Sequence, residues 1–241
     1  LAAAKRGDLG PIVTVQFAAA SNEKGNVNPS SSSDEAHPRS TTKRVRRFLI
    51  IAIALVALLQ RSCAAQRLPV DADEPVYAWA ASYYAGLMAR GEWADIPDYT
   101  YNIEHPVFNK LLYAAGLRLI GYEGRPGQPA EPPSSGAIAP WGDEAAELGV
   151  FLIDRYVAVL FGTLQVLIAA AVNPLAGALL AIHTMTVKYT SEIYLEAVPA
   201  FAITLSVVAY DRAHRGGRGP QGRWFRPPAA HLGVAAASKH V

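Results

Sequence analysis

Apolar residues lie in separate blocks along this chain rather than evenly. The blocks are 48–59, 148–172, 175–187 and 193–210, and the stretches 20–47, 121–147 and 211–228 are polar, basic or rich in Pro and Gly. Blocks of this kind are typical of helices embedded in a lipid bilayer, and less typical of one soluble core. The pattern predicts an all-α fold, a polytopic membrane helical bundle with about four spans.

The first apolar block follows a basic cluster. Residues 43–47 read Lys-Arg-Val-Arg-Arg, and twelve uninterrupted apolar residues follow at 48–59. A spanning helix needs roughly 17–25 residues, so a span over 43–65 requires its polar ends to lie at the bilayer interfaces. A cleaved secretory signal is the alternative, because 62–65 offers small residues for cleavage. The further apolar blocks downstream favour a retained first span.

The later blocks predict three membrane spans within 148–211. Residues 156–172 carry no charge and form the clearest span. Pro174 ends that helix, because proline lacks an amide hydrogen and clashes with the preceding turn. The shorter blocks 175–187 and 197–210 predict the other two spans.

Charge placement tests the number of spans, because short cytoplasmic loops collect Lys and Arg. With four spans, the basic residues of 43–47 and those of the loop 212–228 fall on the same side, and with three they do not. We therefore expect a multi-pass protein of the plasma membrane with a cytoplasmic N-terminus. Residues 66–147 and 188–196 then lie on the outer side.

The outer segment 66–147 has its own pattern. Residues 75–90 and 106–119 carry apolar side chains at helical spacing, with aromatic residues that favour a membrane interface. Five glycines and five prolines between 121 and 142 predict an irregular loop. The segment is expected to form two interfacial helices followed by that loop.

The start of the chain and its composition add limits. Residues 1–42 lack a sustained apolar period and predict a disordered tail. The formal net charge of +2 is too small to indicate a nucleic-acid partner. The single cysteine, Cys63, excludes an internal disulfide framework and any multi-cysteine zinc site.

Ionisable residues near the predicted outer face are the candidate site. Asp73 and Glu74 begin a predicted helix, where carboxylates are often caps. A general base or cation ligand at the membrane edge is the functional alternative, since partial desolvation raises carboxylate pKa. His105 and Lys110 belong to Glu-His-Pro-Val-Phe-Asn-Lys, a set suited to binding a phosphate group.

A second group of charged residues belongs to the same predicted side. Lys188, Glu192 and Glu196 recur at every fourth residue. One interpretation is a helix face whose charged side chains pair with one another. The other is a binding site or a pathway, because ionisable residues at membrane depth are costly and tend to mark function. Arg155 lies at the outer end of the second span. It either joins this site or pairs with Asp154 or with lipid head groups.

The order of these motifs resembles the dolichyl- or polyprenyl-phosphate-mannose protein mannosyltransferase family, of the GT-C fold, and within it the bacterial aminoarabinose-transferase-like branch. The resemblance covers about 45–241 and lies mainly in Asp73-Glu74 and in His105-Pro106 with Lys110, although His-Pro-Val replaces the more usual His-Pro-Pro. It implies a GT-C-like bundle, present here as its N-terminal fragment, in which 229–241 would be the start of a truncated fifth span. The implied reaction transfers a sugar from a polyprenyl-phosphate donor to a hydroxyl of a protein, lipid or glycan acceptor on the outer face.

The resemblance also implies roles for individual residues. Asp73 would be the catalytic base with Glu74 beside it, and a second acidic site would contain Glu196 and Glu192. The donor phosphate would be bound by His105, Lys110 and Arg155. A divalent cation is an open possibility as cofactor. The alternative from another class is a non-catalytic transporter or assembly subunit, in which Lys188, Glu192 and Glu196 line a pathway.

Overall fold

The computed structural model describes residues 39–99, 105–124, 144–215 and 233–234. These residues are mostly helical and include no strand, which confirms the all-α prediction. Seven α-helices and one 3₁₀ helix follow in the order α1 Arg39–Arg67, α2 Glu74–Arg90, the 3₁₀ helix Trp93–Asp98, α3 Val107–Leu119, α4 Glu144–Val172, α5 Pro174–Ile182, α6 Thr184–Tyr189 and α7 Ala197–Arg215.

Helix α1 contains the whole predicted span 43–65. It runs unbroken for 29 residues, since neither Gly nor Pro interrupts it. The helix begins at Arg39, so the predicted boundary of the disordered tail 1–42 was four residues too late. The rest of that tail lies outside the described residues.

Among the residues that the structure describes, two helices are long and apolar enough to cross a membrane. They are Thr42–Arg67, with a mean hydropathy of 2.1, and Gly149–Val172, with 1.8. At about 1.5 Å per residue, each exceeds the roughly 30 Å of a bilayer's hydrocarbon core. Both were predicted from the apolar blocks, and they support membrane association.

The predicted span 175–187 is wrong as a single helix. Helix α5 ends at Ile182, His183 takes an extended backbone conformation (φ −65°, ψ 114°), and α6 begins at Thr184. Arg61 of α1 stabilises the break, because it donates hydrogen bonds to the carbonyls of Ala181 (3.3 Å) and Leu180 (3.4 Å) at the end of α5. Carbonyls at a helix end lack an intrahelical partner, and a guanidinium supplies one.

Helix α4 lies at the centre of the bundle and contacts α1, α3, α5 and α7. Small side chains allow the close approach of α1, α4 and α5, where a compact apolar cluster contains Ile53, Ala57, Val166, Ala170 and Ala181. A larger cluster joins α2, α3, the start of α4 and the segment before α7. Near the N-terminal end of α1, Arg46 donates a hydrogen bond to the Ala171 carbonyl at the C-terminal end of α4.

The two helices predicted in the outer segment are present, with bounds within one residue of 75–90 and 106–119. Helix α2 differs from the expected interfacial helix, because 13 of its 17 residues are buried rather than those of one face. The 3₁₀ helix Trp93–Asp98 was not predicted. Of the Pro/Gly-rich loop 121–142 only 121–124 lies within the described residues.

The C-terminal regions are described only in part. Helix α7 continues to Arg215, so the predicted basic loop 212–228 begins as helix rather than loop. The remainder of that loop lies outside the described residues, as does 229–241 apart from 233–234.

Candidate functional site

A buried ion pair between Glu74 and Arg155 lies at the centre of the candidate site. The Arg155 Nε donates to Glu74 Oε1 at 2.8 Å and Nη2 donates to Oε2 at 2.5 Å. Both side chains are withdrawn from solvent, at 0% relative exposure for Glu74 and 4% for Arg155. The partner of Arg155 is therefore Glu74 and not Asp154, the neighbour that the sequence suggested.

Backbone groups from three further segments complete this ion pair. Arg155 Nη1 donates to the carbonyls of Ala65 (2.7 Å), in the last turn of α1, and of Leu68 (2.9 Å), just after it. Nη2 donates to the Pro69 carbonyl (3.1 Å). Glu74 accepts hydrogen bonds from the amides of Asp71 (2.9 Å) and Ile193 (2.8 Å). The pair is thus saturated, and neither side chain has the exposed surface that a base or a phosphate ligand would need.

Asp73 has a different environment from its neighbour Glu74. Its side chain is exposed, and it makes no capping hydrogen bond to α2. Only its backbone carbonyl takes part in the turn, accepting from the amides of Val76 (3.2 Å) and Tyr77 (3.4 Å). The capping interpretation therefore does not hold for Asp73. Its carboxylate is exposed, and the ion pair of the next residue, Glu74, with Arg155 holds the backbone beside it.

Beside Asp73 lies a charged cluster that the sequence only partly indicated. The Lys188 Nζ lies 3.0 Å from Asp71 Oδ2 and 3.6 Å from Glu192 Oε2. It also lies 5.3 Å and 5.7 Å from the ring centroids of Tyr189 and Tyr194, close enough for cation–π attraction. The Lys188 side chain is 37% exposed. Sequence reasoning found Lys188 and Glu192, but Asp71 was not distinguished from the other acids beside it.

The protonation behaviour of this cluster follows from its contacts. Hydrogen bonds from Tyr194 and Lys188 lower the pKa of Asp71, and the bond to Asp71 raises the pKa of Lys188. Burial raises the pKa of Glu192 to about 7, against the attraction of Lys188. Burial and the hydrogen bond to Asp71 raise the pKa of Tyr194. Near neutral pH the cluster therefore holds Asp71 ionised and Lys188 charged.

The structure gives different environments to His105 and Lys110, the two candidate phosphate ligands of the motif Glu-His-Pro-Val-Phe-Asn-Lys. His105 lies beside α2, with Nδ1 3.5 Å from the Tyr77 hydroxyl and its ring edge-on to that tyrosine. Tyr77 is one helical turn after Asp73, so His105 approaches the start of α2. Lys110 is 1% exposed, with Nζ 5.6 Å from the Tyr99 ring centroid. This burial leaves Lys110 no surface for a phosphate.

The expected stripe of Lys188, Glu192 and Glu196 is not one helix face. Helix α6 ends at Tyr189 and α7 begins at Ala197, so the two glutamates lie between helices. Glu192 faces Lys188, whereas Glu196 lines a separate notch beside α4. The two acids therefore do not form the joint second acidic site that the sequence suggested.

Asp154 is a buried acid that the sequence considered only as a partner for Arg155. Within the described ranges neither of its carboxylate oxygens has a hydrogen-bond partner. Its charge adds to burial in raising the pKa of the Tyr113 hydroxyl, which donates to the Tyr194 carbonyl. Among the residues that the structure describes, no group of three or more His, Cys, Asp or Glu side chains is placed to hold a metal ion.

No protein-family model, curated protein or solved structure matches this chain. The function is therefore argued from the side-chain geometry. That geometry includes the exposed carboxylate of Asp73, the partly exposed side chain of Lys188 and the imidazole of His105, with the buried Glu74–Arg155 pair next to Asp73.

Proposed function

We propose that the protein is a membrane glycosyltransferase, which transfers a sugar from a polyprenyl-phosphate-linked donor to an acceptor hydroxyl on the outer face. The observation that carries this proposal is the exposed carboxylate of Asp73. It adjoins a saturated buried ion pair and lies two residues from Asp71, the partner of the ammonium of Lys188. A base next to a cation is the arrangement that attack on a phosphate-activated carbon requires.

In the proposed reaction Asp73 accepts the proton of the acceptor hydroxyl. The acceptor oxygen forms a bond to the anomeric carbon as the bond from that carbon to the phosphate oxygen breaks. The phosphate leaves with the bonding electrons, and Lys188 offsets its developing charge. Asp71 keeps Lys188 protonated and oriented, and His105 offers a second group to the phosphate.

The proposed assignment of the phosphate ligands differs from the family-based expectation. The guanidinium of Arg155 is committed to Glu74 and to backbone carbonyls, and Lys110 is buried over Tyr99. The Lys188 side chain is 37% exposed, which makes it a better phosphate ligand than the buried Arg155 and Lys110. Arg155 is assigned the indirect role of holding the start of α2.

The finer membrane topology is also a proposal. We propose that α1, α4 and α7 each span the bilayer. Helices α5 and α6 together form a fourth span, which is interrupted at His183. At about 1.5 Å per residue, the 19 residues of α7 reach close to the thickness of a hydrocarbon core. The basic residues at the start of α1 and the end of α7 support a cytoplasmic N-terminus in the plasma membrane.

A transfer assay with paired aspartate variants tests the function. The protein, expressed from its complete reading frame, is reconstituted in liposomes with a radiolabelled polyprenyl-phosphate sugar and candidate acceptors. Asp73→Asn is expected to lower transfer at least about 100-fold, because general-base catalysis contributes that much or more. Asp95→Asn, an exposed aspartate of the 3₁₀ helix, is the matched control and should leave transfer unchanged. Equal transfer by both variants would refute the assignment of Asp73.

A further inference from the structure

Three basic side chains form one face of the first turns of α1. Lys43 and Arg47 are four residues apart, and Arg44 and Arg47 are three apart, so the three are neighbours on the helix surface. All three are exposed. Arg46 lies on another side of the helix, where it donates to the Ala171 carbonyl. The basic face formed by Lys43, Arg44 and Arg47 takes no part in the reaction proposed above.

The charge of the basic face is not neutralised by the part of the chain that the structure describes. None of its three side chains makes an ion pair or a side-chain hydrogen bond there. Like charges three or four residues apart on a helix repel each other. An anion bound between these side chains would replace that repulsion by attraction.

The end of the bundle that carries the basic face has little negative charge of its own. Two contacts, Gln165 with Thr204 and Phe161 with Phe201, show that α7 runs in the same direction as α4. The end of α7 therefore lies at the same end of the bundle as the start of α1. The aspartate and arginine at 211–212 balance each other in charge, so the basic face sets the sign of this end.

The depth of the basic face matches the head-group layer of a bilayer. The apolar part of α1 begins at Phe48, directly after Arg47. From Lys43 to Arg47 the helix rises about 6 Å, at roughly 1.5 Å per residue. Each head-group layer is about 5–7 Å thick, because a bilayer measures about 40–45 Å and its hydrocarbon core about 30 Å. The basic face therefore fits within that layer when α1 spans the bilayer.

The basic face continues directly into an apolar face of the same helix. Ile51 and Leu55 follow Arg47 at intervals of four residues and lie on the same side. Phe48 stands in the same relation to Arg44. The side chains of Phe48, Ile51 and Leu55 are 74%, 57% and 53% exposed. This arrangement fits an amphiphile with an anionic head, whereas a free phosphate or a nucleic acid would leave the apolar face uncovered.

We propose that the basic face binds the head group of an anionic phospholipid, such as phosphatidylglycerol, whose acyl chains lie along Ile51 and Leu55. The phosphodiester accepts charge-assisted hydrogen bonds from Lys43 and Arg47, and Arg44 adds a further positive charge. Each Lys or Arg near an anionic membrane surface strengthens such attraction about fivefold. The inference rests on the proposed span of α1 and is independent of glycosyl transfer.

Lipid retention measured by native mass spectrometry tests this inference. The protein is reconstituted in nanodiscs that contain phosphatidylglycerol and phosphatidylcholine of equal acyl composition, and the lipids that stay bound on release from the nanodisc are counted. Phosphatidylglycerol should be retained preferentially. The preference should weaken when nanodiscs are equilibrated at high salt, because salt screens exposed charges. Equal retention of the two lipids by the wild type would overturn the inference.

Variants assign the preference to the basic face. Arg47→Gln should lower it about fivefold, and the triple variant Lys43→Gln/Arg44→Gln/Arg47→Gln on the order of 100-fold. Arg47→Lys keeps the charge and should retain most of the preference. The matched control is Arg67→Gln, which removes an exposed arginine at the other end of α1 and should leave the preference unchanged. A triple variant with the wild-type preference, or an equal loss in Arg67→Gln, would refute the site.

Carbonate extraction of membranes separates this inference from the membrane placement on which it rests. A protein that stays in the washed membranes but shows no preference for phosphatidylglycerol would refute the lipid site and leave the span of α1 intact. A protein released from the membranes would refute the span, and the lipid site with it.

Discussion

Removing the charge of Glu74 should destabilise the protein more than any surface substitution. Glu74→Gln keeps the size of the side chain and leaves Arg155 buried without a counter-ion. Two charge-assisted hydrogen bonds are weakened, and such bonds contribute about 1.5–3 kcal/mol each. The sum, about 3–6 kcal/mol, agrees with the roughly 3–5 kcal/mol measured when one partner of a buried pair is removed. We expect the free energy of unfolding to fall by that amount.

A double-mutant cycle in detergent micelles measures this effect. Unfolding of the wild type, Glu74→Gln, Glu74→Leu, Arg155→Met and the double variant Glu74→Leu/Arg155→Met is followed by helical circular dichroism against sodium dodecyl sulfate. The double variant should lose less free energy of unfolding than the sum of the single variants, because neither charge is left unpaired. Additive losses would refute the reasoning, since they would show that the two side chains do not stabilise each other.

The exposed pair of Arg90 and Glu92 is the matched control. Its nitrogen and oxygen lie 2.7 Å apart, but the two side chains are 40% and 42% exposed. Exposed pairs contribute little because water screens them. Glu92→Gln should therefore change the free energy of unfolding by no more than about 0.5 kcal/mol.

Three further predictions follow from other features. Because burial raises the pKa of Glu192 to about 7, the folded protein holds a proton that the unfolded chain releases above its ordinary pKa, so stability falls as pH rises through 7. Glu192→Gln should remove this fall in melting temperature between pH 5 and 8, and a wild type whose stability rises over that range would contradict it. Gly162→Ala should cost about 1–3 kcal/mol in chemical unfolding, because a Cβ there meets Thr190, whereas Gly149→Ala, on the same helix with open space, should be neutral or stabilising. Cys63, exposed near the outer end of α1, should react with a membrane-impermeant maleimide from outside intact cells, and labelling only in inverted vesicles would reverse the proposed topology.

The sequence predicted the elements whose signal is local. Helices α1 and α4 follow from long apolar runs, and α2 and α3 from helical spacing that begins at a proline. The break at His183 could not be predicted this way, because the chain there is apolar enough to continue as helix. What stabilises the break is Arg61, which is more than a hundred residues earlier in the sequence.

In the candidate site, too, the features with a local sequence signal were predicted and those that depend on distant contacts were not. Asp73, Lys188 and Glu192 were identified from charge beside apolar blocks, and the structure brings Lys188 and Glu192 together with Asp71. The burial of Glu74 was not visible, because an acid at a helix start is exposed in most sequences. Only the packing of α4 against that end of α2 turns Glu74 from a surface residue into the partner of Arg155.

The convergence on Arg155 has a consequence for the order of assembly. Its partners lie 81 to 90 residues earlier in the chain, and Ile193 reaches the same carboxylate from 119 residues after Glu74. During synthesis the backbone around Asp73 therefore emerges long before the groups that fix it. Contacts of such long sequence separation form late, because loop closure must precede them. The backbone next to Asp73 should reach its final conformation only after α4 and the segment around Ile193 have been synthesised. A nascent chain arrested before Arg155 would therefore contain Asp73 without the contacts that hold its neighbour Glu74.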